Sequence, residues 1–90
     1  METAHQNTKV LYIYDLPKEA TSLMIADAFQ SKAGVLLKQQ PEIKRDPTSQ
    51  FFKATVRFED ERDYTNSVRL MKYFEIEGKQ VRALPHDKSF

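Results

Sequence analysis

Apolar and polar residues alternate in the stretch Lys9–Leu16, KVLYIYDL. Leu11 and Ile13 share one parity and Tyr12 and Tyr14 the other, the pattern of a strand with one face buried. Pro17 stops it, and Thr21 is placed to cap a helix. In the following SLMIADAFQSKAG, Ile25 and Phe29 stand at i, i+4. Leu23, Met24, Ala26 and Ala28 widen their apolar stripe, and Gly34 supplies a helix terminator. Residues 35–44, VLLKQQPEIK, make a poorer strand, because Pro41 cannot donate to a ladder; this segment belongs on a sheet edge or contains a bulge.

After the polar turn RDPTSQ comes a second well-formed alternation, Gln50–Phe58, QFFKATVRF. Ala54, Val56 and Phe58 point inward, leaving Phe51, Lys53, Thr55 and Arg57 on the other face. Tyr64, Ser67, Val68 and Met71 then fall at i, i+3, i+4, i+7, with Asp60 as N-cap, and predict a second helix. Tyr73 and Phe74 follow, at least one of them a core residue. The chain closes with a tight turn at Glu77-Gly78 and a strand that turns Val81 and Ala83 inward. The order is β-α-β-β-α-β. Right-handed crossovers fold that order into an α+β, ferredoxin-like sandwich: a four-stranded antiparallel sheet with both helices on one face. Residues 9–84 carry this domain, between a polar, flexible tail at 1–8 and a tail or linker at 85–90.

The gross composition narrows the functional classes. Ninety residues make one small domain, and 40% hydrophobic with 30% charged residues describes a globular chain. No apolar run reaches the roughly 20 residues that span a bilayer, so no membrane role is expected. The absence of cysteine rules out disulfides and thiolate metal sites. It favours an intracellular setting, the cytoplasm first and the nucleus in addition. His5 and His86 have no neighbour at metal-ligand spacing, so neither a metal nor another cofactor is expected. A net charge of +1 means that any nucleic-acid binding rests on local patches and stacking rather than on a strong overall field.

In a sandwich of this topology the helices leave one sheet face open, and the first and third strands are central. Their open-face residues are Tyr12, Tyr14, Phe51, Lys53, Thr55 and Arg57. Rings interleaved with cations suit unstacked bases and their phosphates. Lys38, Lys44, Arg45 and Arg82 extend the basic rim.

Two segments make the pattern specific. Leu11–Leu16, LYIYDL, resembles the second ribonucleoprotein motif of an RNA-recognition motif (RRM), and Phe51–Phe58, FFKATVRF, occupies the place of the first. Together with ATSLMIADAF and LMKYFEIEGKQVR, they make the chain most similar to the N-terminal RRMs of poly(A)-binding proteins over roughly residues 10–84. The resemblance implies a single-stranded RNA-binding module, A-rich RNA as partner, and membership of a longer chain with several RRMs. It retains the second motif's ring as Tyr12. The two rings of the first motif fall on Lys53 and Thr55 and are absent. The motif glycines are replaced by Tyr14 and Phe52, and the tail reads PHDKSF, without the family's tryptophan and arginine.

Plainer readings stand beside these. Tyr12 is a strand-favouring residue in any protein, Tyr14 and Phe51 are placed to form a stabilising cross-strand pair, and Lys53 and Arg57 equally suit a solvated face. For function, the RNA-binding reading assigns stacking to Tyr12 and to Tyr14 or Phe51, and phosphate contacts to Lys53, Arg57 and Arg82. The alternative is an RRM turned to protein recognition through its open face or its helices, where Leu70 falls outside the apolar stripe. Catalysis is not expected. There is no Gly-rich phosphate loop, no cysteine nucleophile and no histidine–carboxylate cluster. Acylphosphatase-like enzymes share the topology but need an arginine in the loop after the first strand, which here reads PKEATS.

Overall fold

A computed structural model describes residues 9–86. The stretches 1–8, with His5, and 87–90 lie outside the described residues. The first strand, β1 (Val10–Leu16), leads into helix α1 (Ser22–Ala28), which continues as a π-helical turn over Phe29–Ala33. Thr21 caps α1: its hydroxyl oxygen accepts from the Met24 amide at 3.2 Å. Gly34 ends the helix in the left-handed region (φ 68°), and its amide donates to the Gln30 carbonyl while that of Val35 donates to Phe29. A residue without a Cβ takes this conformation at little cost.

The weak pattern of residues 35–44 yields only a three-residue strand, β2 (Glu42–Lys44), at the sheet edge. Pro41 stays outside the ladder; its carbonyl accepts the Ser22 hydroxyl at 2.8 Å, which ties this loop to the start of α1. Strand β3 (Phe52–Arg57) and helix α2 (Glu61–Leu70) follow, and the Asp60 carboxylate accepts the Arg62 amide as N-cap.

The last segment differs from expectation. Where the sequence pattern predicts one strand and a sheet of four, the chain forms a hairpin of β4 (Tyr73–Ile76) and β5 (Lys79–Leu84), and the sheet has five strands in the order β2-β3-β1-β5-β4. The reason is the two-residue turn at Glu77 (φ 55°) and Gly78 (φ 76°). Two successive positive φ values match the twist of paired strands, so the turn pairs the residues before it with those after it. Phe74 and Ile76 are then buried and Tyr73 is exposed.

One face of the sheet packs on the helices. Leu11, Ile13, Ala54, Val56, Val81 and Ala83 meet Ile25, Phe29 and Met71 in one core. Phe29 lies 6.0 Å from Phe58 and 5.9 Å from Phe74, ring to ring, separations typical of stabilising aromatic pairs. Among the described residues no helix is long and apolar enough to cross a membrane.

Candidate functional site

The uncovered sheet face is set by the pairing of β1 with β3. Tyr12 lies opposite Thr55 and Ile13 opposite Ala54, but Leu16 lies opposite Phe52. Two residues on β1, Tyr14 and Asp15, thus oppose one on β3, Lys53: a bulge with one extra residue. Asp15 turns the chain there with a φ of 67°, a conformation that aspartate tolerates better than most residues. The bulge returns Leu16 to the core, although strict alternation would put it on the same face as Tyr12 and Tyr14.

Tyr12 and Thr55 are half-buried on the open face, as is Lys53; Arg57 is exposed at the far end of β3. At about 3.3 Å per residue, Arg57 stands about 13 Å from Lys53 along the strand. Arg82 comes from β5, where it pairs with Tyr14.

Tyr14 differs from the expected open ring, being only 8% exposed. The Lys53 ammonium lies 5.9 Å from its ring centre and the Arg82 guanidinium 6.0 Å. Both distances suit cation–π attraction. The burial follows from position: Tyr14 is between long side chains on both neighbouring strands. Arg82 is also held by Asp15, Nε to Oδ2 at 2.9 Å. Asp15 is a site residue that sequence reasoning missed, though an aspartate inside an apolar alternation is a signal for a bulge.

Beyond Tyr14 the face opens into a cleft of about 540 Å³ between the end of β1 and the β2–β3 loop. Phe51, at its edge, is 47% exposed. Lys44 and Arg45 line it together with Lys53, and the Arg45 guanidinium lies 5.3 Å from the Phe52 ring centre. The loop is internally bonded. Asp46 accepts from the Thr48 hydroxyl at 2.7 Å and the Thr48 amide at 3.0 Å, and these bonds, with a smaller contribution from Lys53, hold its carboxyl below the usual range. Ser49 clamps Phe51 from both sides: its hydroxyl donates to the Phe51 carbonyl at 2.7 Å and accepts from the Phe51 amide at 3.2 Å.

Of the residues expected on the open face, the structure therefore brings Tyr14, Lys53 and Arg82 into one cluster, sets Tyr12 and Thr55 beside it, and holds Phe51 and Arg57 at opposite ends. Lys38 lies on the α1–β2 loop with Leu37 and Pro41, apart from this face. Among the described residues no group of three histidine, cysteine or acidic side chains could hold a metal ion.

No protein-family model and no curated protein matches the chain. Among solved structures, it is similar to the RRM3 domain of Mip6, with a TM-score of 0.70 over 87% of this chain and 93% of that one, at 15% sequence identity. Identity that low speaks to architecture alone. The β-α-β-β-α-β-β order, the helices on one face and this structural likeness agree: the chain has the fold of an RRM domain.

Proposed function

We propose that this chain is a single-stranded RNA-binding module that uses the open face of its sheet, with A-rich strands as its preferred ligand and the cytoplasm or nucleus as its setting. The observation that carries the reading is the half-buried Tyr12 ring on a helix-free face with Lys53, Thr55 and Arg82 beside it. Tyr12 stacks a base. Lys53, Arg82 and, further along, Arg57 meet phosphates. Tyr14 serves mainly to position the two cations that flank it. The A-rich preference rests on the similarity of LYIYDLP and LMKYFEIEGKQVR to poly(A)-binding-protein RRMs. With one available ring on the two central strands and a net charge of +1, affinity should be modest.

A second reading, recognition of a protein partner, is favoured by the exposure of Leu23 (69%) and Leu36 (71%), in α1 and just after it. Amide shift mapping with an A-rich oligonucleotide separates the two. Changes at Tyr12, Lys53, Thr55 and Arg57 are expected. A silent sheet at saturating oligonucleotide would eliminate the RNA reading and leave the apolar surface as the better guide.

A further inference from the structure

We propose that the cleft between the end of β1 and the β2–β3 loop is a second nucleotide subsite, which takes one nucleotide of the bound strand off the sheet and against Phe51. It rests on the RNA-binding reading above and goes beyond it. The two central strands offer no second open ring: Tyr14 is almost buried, Lys53 and Thr55 stand where rings would be, and the exposed Tyr73 lies two strands away on β4, beyond Arg82. Phe51, 47% exposed, and Tyr14 line one cleft of about 540 Å³, large enough for a nucleotide.

Charge favours the same occupant. Lys44, Arg45 and Lys53 border the cleft against two carboxylates, and both of these already have partners: Asp15 is paired with Arg82 and Asp46 is bonded to Thr48. Thr48 is neutral and leaves Asp46 its charge, so a net excess of two positive charges remains for phosphate. The site is also built before anything binds. The Ser49 clamp fixes the Phe51 backbone, and Arg45 is laid against the Phe52 ring, so little ordering has to accompany binding. A base on Phe51 with its phosphate between Lys44 and Arg45 fits both features.

The test compares Phe51→Leu, Phe51→Tyr, Arg45→Gln and Tyr12→Ala for binding of an A-rich octanucleotide, with amide shifts as a second readout and AMP titrated separately. Phe51→Leu keeps an apolar side chain but removes the flat ring, and should weaken binding about 5- to 150-fold; Phe51→Tyr should bind as wild type. Arg45→Gln should weaken binding and lower its salt dependence. Shifts at Ser49 and Phe51 should accompany those at Tyr12, and AMP should reach them only at far higher concentration than the strand. If Tyr12→Ala weakens binding while Phe51→Leu and Arg45→Gln do not, the cleft is empty in the complex and the proposal is overturned with the sheet reading intact. AMP saturating the cleft at concentrations where the octanucleotide does not would overturn the strand assignment. If wild type shows no binding at all, the RNA reading fails, and the cleft assignment with it.

Discussion

At the scale of single residues, Tyr12 and Tyr14 show how far alternation can be read. The parity of LYIYDL puts both rings on the open face, and both are there, but their availability differs. Tyr12 faces the small Thr55 and keeps a half-open ring, whereas Tyr14 is walled by Lys53 and Arg82 from the two neighbouring strands. Which long side chains fold over a ring depends on strand order and register, and neither is written in the local pattern. Asp15 was hidden for the same reason: its partner Arg82 lies 67 residues away in the chain. Replacing Tyr12 by alanine should remove about 1–3 kcal/mol of RNA affinity and leave the melting temperature nearly unchanged, because the ring lies outside the core. Titration and thermal melts on one sample check both. A collapse of the fold would mean that Tyr12 is structural, and the binding assignment would lose its main support.

At the scale of elements, caps and terminators were legible because their chemistry is local. Thr21, Asp60 and Gly34 stand where the sequence reading put them. The shortened β2 follows from Pro41, also a local signal. The fifth strand was not anticipated although its signs were present: Phe74 and Ile76 alternate with Tyr73 and Glu75, and a two-residue turn with a glycine demands a partner strand on each side. Four residues are a short run, and their proximity to α2 obscured the change of period. In helix α2 the stripe turns Ser67 inward, but it does not disclose what the hydroxyl meets there. Ser67 is fully buried and its hydroxyl oxygen has no hydrogen-bond partner. A buried polar group without a bond is costly, and alanine is the better helix former. Ser67→Ala should therefore raise stability by about 1 kcal/mol, seen as a higher midpoint in urea unfolding at unchanged slope. A lowered midpoint would show that the hydroxyl is bonded in solution.

At the scale of the whole molecule, element order and hydrophobic parity were enough to give the layered architecture, since the helices can bury their stripes only against the Leu11–Ile13–Ala54–Val56 face. The open face was legible as a consequence, and at the two positions where the RRM resemblance implies rings it carries Lys53 and Thr55. A lysine attracts phosphate as a flexible point charge and offers no plane for a base. The double change Lys53→Tyr with Thr55→Tyr should convert the platform. A tyrosine at position 55 would sit directly across from Tyr12, at a cross-strand spacing that aromatic pairs use favourably, and strand propensity accommodates both substitutions. Each new productive stack should add about 1–3 kcal/mol of affinity. The lost ammonium should remove one phosphate contact and lower the log–log salt slope by roughly 0.7. Kd measured against salt for wild type and the double variant on the same A-rich oligonucleotide reads both effects at once. Tighter binding with a shallower slope is expected. Unchanged or weaker binding by a folded double variant would mean that bases do not lie on this face, and the exposed leucines at 23 and 36 would then mark the surface on which this domain meets its partner.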